Sequence, residues 1–449
     1  MEEKKISSSL LSSFEEMYEA KKENQAKGLS LARVGIKEAS TNPYLPRRLT
    51  PTFSLEVEGG KATNQRRSGR CWRFAATNVR RFEVRKNLNI EDRELSQNYP
   101  LFFDKLEKSN FFLENILETA NEPLSSRLVS YLLKDPIGDG GQWDRFVSLV
   151  EKYGVCPKQA RPETYSSSHT RDRDKFITEK LREDARDLRK AKEKGTDRKK
   201  ILERKETRLA EIYQILVLCL GKPPVEFDYD YYEKAGKDGK KIYHHIHSTP
   251  KEFFQKYVKW NLDDYVSVIN APTEDKPYRR SFTVKYLGNV IGGKIVRYLN
   301  LPIKELKRLA ICQRQDGEGV WFGSDVGQCS TRDNGLMALD AYKVDEVLGV
   351  PFNRTKAERL DYGESLRTHA MTFTGVNLVQ GKPNRWKVEN SWGKDFGHEG
   401  FFTRDDPWFD QFVYQIVVNK KYLSKEELEA YNSQPILLEP WDPRGSLAK

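Results

Sequence analysis

The chain has 449 residues, a length that favours more than one folding unit. Apolar residues make up 37% and aromatic residues 11% of the sequence, so the chain can bury a sizeable core and is not disordered as a whole. No stretch reaches about 18 uncharged apolar residues, which excludes a membrane-spanning helix, and residues 1–5 lack the apolar segment of a signal peptide. We therefore expect a protein that remains in the cytoplasm and does not contact a membrane.

The cysteines do not form the pattern of a disulfide framework. Their number is odd, they are widely spaced, and no two are separated by two residues alone. Free thiols fit a reducing cytoplasm, where most are buried and unreactive. The five are Cys71, Cys156, Cys219, Cys312 and Cys329.

The net charge of +11 is concentrated in one segment. Residues 171–208 hold sixteen Lys and Arg against ten Asp and Glu, with few apolar residues. Acidic and basic side chains follow one another at spacings of three or four, as on the solvated face of a helix. The first interpretation is a soluble helical surface, and the second is a surface that contacts a polyanion such as nucleic acid.

In chain order, the first expected elements are helical. Residues 7–24 have the pattern of a capped helix with its apolar side chains on one side. Prolines and a Gly-Gly pair predict an extended arm over 40–60, a second helical stretch begins near Cys71, and more helical pattern covers 97–155. The charged helices follow and end near a strand at 242–246.

From residue 282 onward the pattern changes to strands. Runs of β-branched residues alternate with glycine turns, and prolines near the end of the sequence exclude a continuing helix. A helix-rich half followed by a strand-rich half predicts an α+β protein. The predicted units are an N-terminal helix and arm (1–60), a helical region with Cys71 (61–164), a charged and mostly helical region (165–262), a β-rich region (263–435) and an extended tail (436–449).

The sequence around Cys71 predicts a reactive thiol. Cys71 falls in the first turn of a helix whose apolar residues recur at helical spacing. There the helix dipole and the free N–H groups stabilise a thiolate, so we expect a lowered thiol pKa. Gly69 permits a tight turn before the helix, and Gln65 is near enough in sequence to place its amide N–H₂ beside the sulfur.

A thiolate nucleophile needs a proton partner, and His369 is the best candidate. Strand patterns begin at His369 and end near Asn390, and the turn sequence at 380–384 between them predicts a hairpin. The two residues are equidistant from a point at the edge of that turn, so their side chains are expected to meet across the hairpin. An Asn amide oxygen that accepts the imidazole N–H fixes the ring and its tautomer.

These residues, in this order, resemble the papain-like cysteine peptidases: Gln65 six residues before Cys71, then His369, then Asn390 followed by Ser-Trp-Gly. The sequence is more similar still to the bleomycin hydrolase group, whose motifs match from about residue 60 to the last residue. The matching segments are SGRCW (68–72), DGGQWD (139–144), WFGSDVG (321–327), ESLRTHAMTFT (364–374) and WDPRGSLAK (441–449).

The resemblance implies a papain-like two-lobe fold in which the charged helices are a large insertion. It implies Cys71 as the nucleophile, His369 as the acid and base, and Asn390 as the residue that orients His369. Gln65 then forms the oxyanion hole with the Cys71 N–H, and Trp392 shields the imidazole from solvent. The implied reaction is hydrolysis of amide bonds at peptide N-termini, and of bleomycin-like amides, through a thioester and without a metal or organic cofactor.

The resemblance further implies a ring-shaped homohexamer in which each C-terminal tail lies in its own cleft. Ala448 and Lys449 are then expected at the cleft, where the terminal carboxylate pairs with the α-ammonium group of a substrate. Such a contact would make the enzyme an aminopeptidase. Cys71 is expected to act on the tail as well, by removing Lys449.

Three arginines depart from the pattern of the family. Arg73, Arg367 and Arg444 stand where the relatives have apolar side chains, often Met. A buried guanidinium without a partner costs several kcal/mol, so Arg73 must find a carboxylate or water. The departures concern the specificity of the cleft and the docking of the tail more than the chemistry.

Two other classes of function stay open. The basic charge fits a nucleic-acid-binding protein whose cysteine is incidental, although no zinc finger, RNP sequence or helix-turn-helix is recognisable. A peptidase fold kept as an inactive scaffold is disfavoured because all four site residues are present. No metal site is expected on His244, His245 and His247, because no Cys or acidic partner lies at ligand spacing.

Overall fold

The computed structural model describes residues 5–57, 60–91, 93–235 and 239–443. The helices in these ranges are α1 (Ser8–Glu19), α2 (Glu23–Ser40), α3 (Leu45–Arg48), α4 (Cys71–Leu88), α5 (Asn98–Glu118), α6 (Arg127–Lys134), α7 (Trp143–Tyr153), α8 (Tyr165–Ser168), α9 (Thr170–Glu193), α10 (Arg198–Leu220), α11 (Pro250–Phe253), α12 (Ile303–Gln315), α13 (Val344–Leu348), α14 (Lys356–Asp361), α15 (Asp406–Phe412) and α16 (Lys425–Asn432). None of the helices in the described ranges is long and apolar enough to span a bilayer.

The strands of the same ranges are β1 (Leu55–Glu56), β2 (Phe227–Tyr232), β3 (Tyr243–Ser248), β4 (Tyr265–Ile269), β5 (Arg280–Val284), β6 (Tyr298–Asn300), β7 (Val320–Ser324), β8 (Ser330–Thr331), β9 (Leu336–Met337), β10 (His369–Val379), β11 (Lys382–Glu389), β12 (Phe401–Asp405), β13 (Val413–Asn419) and β14 (Ile436–Leu438). Most of them join one mixed sheet. Its order is β14-β5-β6-β4-β13-β7-β10-β11-β12-β9-β8, and β1 also pairs with β10. The helix-rich first half and the sheet-rich second half confirm the predicted α+β class.

The two faces of the central strands pack on different helices. Alternate residues of a strand point to opposite faces of its sheet. Trp321 and Ala370 belong to the hydrophobic cluster that includes α4, whereas their neighbours Phe322 and Met371 belong to the cluster that includes α12. The middle of the sheet is therefore covered on both sides, and α4 lies directly against β7 and β10.

The charged helices α9 and α10 pack on α5 and form a third cluster. Their buried side chains include Ile177, Leu181, Leu188, Ile212 and Leu216. Gly195, with φ of +70°, makes the turn between the two helices, and Asp197 caps α10 by accepting the Lys199 N–H at 3.0 Å. The predicted charged helices are thus observed, with one apolar side against α5 and the charged side in water.

Some predicted elements differ from the structure. The helix predicted over 7–24 ends at Glu19, and α2 begins at Glu23. The arm predicted over 40–60 contains the short helix α3 and strand β1. Pro46 does not prevent α3, because it stands in the first turn of that helix, where proline is tolerated. The strand-rich half also contains α12, which the strand patterns did not reveal.

The tail expected over 436–449 is described in part. It begins as β14, which pairs in parallel with β5. Further on, the Arg127 guanidinium of α6 lies 4.0 Å from the ring centroid of Trp441, and the ring of Tyr131 lies at 6.5 Å. The described part ends at residue 443, and outside it lie Arg444, Ala448 and Lys449.

Candidate active site

Cys71 is the first residue of α4, as predicted, and its side chain is fully buried. The sulfur accepts hydrogen bonds from the backbone N–H groups of Trp72 and Ala370, so the start of α4 meets the start of β10 at the thiol. Thr372 Oγ1 donates to the Ala75 carbonyl oxygen at 3.0 Å and holds the helix on the strand. The thiol therefore lies beside the strand whose first residue is His369.

A long-range contact fixes the turn before Cys71. The Gly69 N–H donates to Asp139 Oδ2 at 2.8 Å, and Trp72 Nε1–H donates to the Asp139 carbonyl oxygen at 2.8 Å. A Cβ at position 69 would lie 2.6 Å from the Asp139 Cβ, so glycine is needed for this approach. Sequence reasoning assigned no role to Asp139, although the DGGQWD segment that begins with it was a signal.

His369 and Asn390 meet through the hairpin of β10 and β11. His369 Nε2 lies 2.9 Å from Asn390 Oδ1, which leaves Nδ1 free of that bond. The turn consists of Gln380 and Gly381 with φ of +51° and +75°, the signature of a tight primed turn. Thr372 pairs with Glu389, so the predicted turn at 380–384 is too long and the predicted register is displaced by two residues. The predicted proximity of the two side chains is nevertheless observed.

Trp392 lies over the imidazole. The two ring centroids are 5.0 Å apart and the planes are inclined by 38°. Asn390 Oδ1 also accepts the Ser391 N–H at 2.8 Å, which fixes the amide that faces His369. The imidazole is 6% exposed, so the contacts with Asn390 and Trp392 remove it almost completely from water.

Gln65 is tied to the segment that carries Asn390. Its N–H donates to the Ser391 carbonyl oxygen at 2.8 Å, and its Oε1 accepts from Ser391 Oγ at 2.6 Å. Its side-chain amide N–H₂ donates one of its two hydrogens to the Ser68 carbonyl oxygen.

A cleft of about 400 Å³ is lined by Gln65, Ser68, Gly69, Cys71, Asp135, Asp139, Thr368 and His369.

Burial sets the protonation of the two central groups. It raises the pKa of the Cys71 thiol to about 11, against the hydrogen bond from Ala370. It lowers the pKa of His369 to about 4, against the hydrogen bond with Asn390. The prediction of a lowered thiol pKa is wrong for this structure, because removal from water outweighs the helix N-terminus. Both shifts favour the uncharged forms, a thiol at Cys71 and a neutral imidazole at His369.

Two of the departing arginines find polar partners. Arg73 Nη1 lies 3.2 Å from Asp104 Oδ2, and both side chains are fully buried. Arg367 donates to Gln415 Oε1, and its guanidinium lies 3.3 Å from Tyr298 Oη. The carboxylate that the burial of Arg73 required comes from α5.

The histidines of β3 face acidic residues on or beside β2. The pairs are Glu233–His244, Asp230–His245 and Asp228–His247, at 2.7, 2.7 and 2.8 Å. The hairpin brings these histidines beside carboxylates that are distant from them in sequence. Nevertheless, no group of three or more His, Cys, Asp or Glu among the described residues is arranged to hold a metal ion.

Comparison with known proteins places the chain among its relatives. The Peptidase C1-like family matches residues 5–445. Aminopeptidase C from Listeria monocytogenes is 51% identical over 419 residues, or 93% of each chain. Bleomycin hydrolase from Homo sapiens is 42% identical over 405 residues, or 88% of each chain. The crystal structure of PepW from Lactobacillus rhamnosis matches with a TM-score of 0.96 and 49% identity, covering 99% of this chain and 100% of that one.

The fold is therefore that of a papain-like cysteine peptidase, and the expected similarity to the bleomycin hydrolase group is confirmed. The chain belongs to the Peptidase C1-like family. The predicted enzyme class, a cysteine-type aminopeptidase, is confirmed by the same relatives.

Proposed function

We propose that the protein hydrolyses amide bonds at the N-terminus of peptides, and bleomycin-like amides, with Cys71 as the nucleophile. The observation that supports this most is the arrangement of the cleft. The sulfur of Cys71 contacts the backbone beside His369, and His369 is bonded to Asn390 at 2.9 Å. Relatives named aminopeptidase C and bleomycin hydrolase support the two kinds of substrate.

The first step forms a thioester. His369 takes the thiol proton, and the Cys71 thiolate attacks the carbonyl carbon. The Gln65 amide and the Cys71 N–H stabilise the negative charge that develops on the carbonyl oxygen. His369 then gives its proton to the leaving amine, and the C–N bond breaks.

The second step releases the acid. His369 removes a proton from water, the hydroxide oxygen attacks the thioester carbon, and the C–S bond breaks as the thiol is restored. Asn390 holds the imidazole in one orientation through both steps, and Trp392 keeps water away from their hydrogen bond. Both roles are positioning roles, because neither side chain touches the reacting atoms.

The tail is proposed to limit the enzyme to N-terminal residues. Its described part runs from β14 to α6, where Trp441 packs on Arg127 and Tyr131. The next residue after α6 is Asp135, which lines the cleft. This path supports the proposal that Ala448 and Lys449 lie in the cleft and that the terminal carboxylate binds the substrate α-ammonium. Removal of Lys449 by Cys71 belongs to the same proposal.

The test compares a fluorogenic amino-acid amide with its N-acetylated form. We expect hydrolysis of the free-amine substrate alone, and a loss of at least about 10⁴-fold in Cys71→Ala. Cys156→Ala is the matched control, because Cys156 is equally buried but lies outside the cleft. Hydrolysis that persists in Cys71→Ala would show that Cys71 is not the nucleophile. Hydrolysis of both substrates by the wild type would show that the tail does not restrict the enzyme to free N-termini.

A homohexamer is proposed for the assembly. Helix α1 buries none of its residues, although Leu11, Phe14 and Met17 are 53%, 48% and 66% exposed. Such a face suits an interface between copies. Light scattering after size-exclusion chromatography tests the proposal, and a monomer for the wild type contradicts it.

Weak nucleic-acid binding is the second candidate function. Lys190, Lys194 and Arg204 line a groove of about 520 Å³ between α9 and α10 and make no ion pair with another described residue. A binding constant that does not change with salt would exclude contacts to phosphates.

A cytoplasmic location is likewise proposed, and the free state of all five cysteines supports it.

A further inference from the structure

One carboxylate of the cleft has no partner among the described residues. Asp135 lines the cleft together with Cys71 and His369, is exposed, and forms no hydrogen bond or ion pair there. Asp139, the other carboxylate of the lining, is engaged: it accepts the Gly69 N–H and pairs with Lys105 at 2.7 Å. Asp135 is thus the carboxylate of the lining that remains available to a ligand.

The fold fixes the position of Asp135. It follows α6 directly, and the chain turns back through 136–139 to the contact between Asp139 and Gly69. A side chain at Gly138 would collide with the Asp135 carboxylate, so the carboxylate lies against this turn. The charge of Asp135 acts to raise the pKa of Arg145 and of Tyr131, but neither side chain forms a hydrogen bond or ion pair with Asp135.

The electrostatics of the lining favour a cation. Asp139 is paired with Lys105, so the charge of the lining that no described residue pairs is that of Asp135, and the other lining residues are Gln65, Ser68, Gly69, Cys71, Thr368 and His369. A cleft lined by one sign of charge concentrates ligands of the opposite sign. The cation that an N-terminal residue always carries is its α-ammonium group.

We propose that Asp135 binds the α-ammonium group of the substrate and is a specificity-determining residue of the enzyme. The inference rests on the proposed aminopeptidase function and assigns part of its selectivity to a side chain of the cleft itself. An ammonium group has three N–H donors, so it can donate to Asp135 and still donate to other acceptors of the cleft. Asp135 thereby adds attraction for a substrate whose first amine is charged.

The test measures kcat and KM for a fluorogenic alanyl amide, whose α-ammonium is its sole cation, in wild type, Asp135→Asn and Asp135→Glu. We expect KM to rise about three- to tenfold in Asp135→Asn, with kcat almost unchanged and partial recovery in Asp135→Glu. The difference should shrink at about 1 M salt, and also above pH 8, where the amine of the substrate loses its proton. Glu193→Gln, an exposed carboxylate at the end of α9, is the control and should behave as wild type.

Three outcomes would overturn the inference. An unchanged KM in Asp135→Asn would leave recognition of the amine to the tail. A larger KM that is the same at pH 6.5 and pH 9.5 would indicate a structural effect of the substitution. A loss confined to a lysyl amide would show that Asp135 binds a basic side chain instead. In all three the wild type is active on the alanyl amide, whereas failure of the proposed function leaves the wild type inactive on every amide.

Discussion

Two regions that bury charged side chains surround them with different contacts. Behind Cys71, between α4, α5 and α9, basic and acidic groups pair with each other. The pairs are Arg73–Asp104, Lys108–Asp104, Lys105–Asp139, Lys105–Asp174 and Arg173–Asp174, all between 2.6 and 3.2 Å. Lys108 also donates to the carbonyl oxygens of Gly138 and Gly140, so the network holds the loop that contacts Gly69.

In the sheet, by contrast, Arg404 on β12 is fully buried without a hydrogen-bond partner among the described residues for any of its three guanidinium nitrogens. Aromatic rings surround it, with centroids between 4.1 and 5.9 Å from the guanidinium carbon. The rings belong to Phe322, Phe373, Trp386, Trp408 and Phe409. Burial lowers the pKa of Arg404 well below its usual value, against the attraction of Asp406.

The charges of the paired network position the turn that carries Cys71, whereas the charge of Arg404 makes, among the described residues, no contact that stabilises the site. A desolvated cation–π contact contributes about 2 kcal/mol, but the rings offer no hydrogen-bond acceptor to a guanidinium whose desolvation costs several kcal/mol. The paired network also costs desolvation, but its hydrogen bonds fix the turn that carries the nucleophile. Substitutions in the two regions should therefore have opposite effects on stability.

The largest effect is expected for Asp139→Asn, which breaks the paired network. The substitution leaves Lys105 with Asp174 as its one carboxylate partner among the described residues and removes the charge that the Gly69 N–H faces, so we expect a loss of about 3–4 kcal/mol in the free energy of unfolding. The kcat/KM for a free-amine substrate should fall with it, because the oxyanion contacts move with the turn. Urea unfolding and steady-state kinetics measure the two effects. Asp361→Asn, on the exposed end of α14, is the control, and equal losses in both variants would contradict a special role for the network.

A second effect should have opposite signs at two arginines. Arg404→Met replaces an unpartnered guanidinium by an apolar chain of similar length among aromatic rings, and should raise the free energy of unfolding by about 2–3 kcal/mol. Arg73→Met removes a partner from the buried Asp104 and should lower it by about 2 kcal/mol. Urea unfolding of the two variants and the wild type, followed by two probes, gives both values. If both variants are destabilised, the rings stabilise Arg404 as well as a carboxylate stabilises Arg73.

The sequence predicts the catalytic side chains better than it predicts either of these two regions. Cys71 at a helix start and His369 near Asn390 depend on local patterns, namely helical spacing and a hairpin, so both arrangements were predictable. The contact of Asp139 with Gly69 and the aromatic rings around Arg404 join segments far apart in the chain, so no local sequence pattern predicts them. The direction of the Cys71 pKa shift was missed for the same reason: the sequence shows the helix start but not the depth of burial.

The third effect is a loss of stability in acid through His369. Its folded pKa, about 4, is below the ordinary value near 6.5, so the unfolded state takes up the proton first. The stabilisation is therefore present above pH 6.5 and is lost as the pH falls toward 4. Between pH 7 and pH 5 we expect a loss of about 2 kcal/mol in the wild type that is absent in His369→Asn. Urea unfolding at both pH values measures the difference, and equal slopes in the two proteins would mean that His369 is protonated as easily as in the unfolded chain.

The smallest effect, with the opposite sign, is expected for His247 on the exposed hairpin of β2 and β3. The hydrogen bond to Asp228 raises the pKa of His247, so its contribution is present below the ordinary value near 6.5 and is lost as the pH rises through the folded pKa. Because both side chains are more than half exposed, water and salt weaken the pair. At low pH, the free energies of unfolding of the wild type and His247→Gln should therefore differ by little more than the experimental error of urea unfolding. At about 1 M salt the difference should vanish. A pH effect larger than that of His369 would show that burial does not decide the size of these contributions, and the contrast between buried and exposed charges would fail.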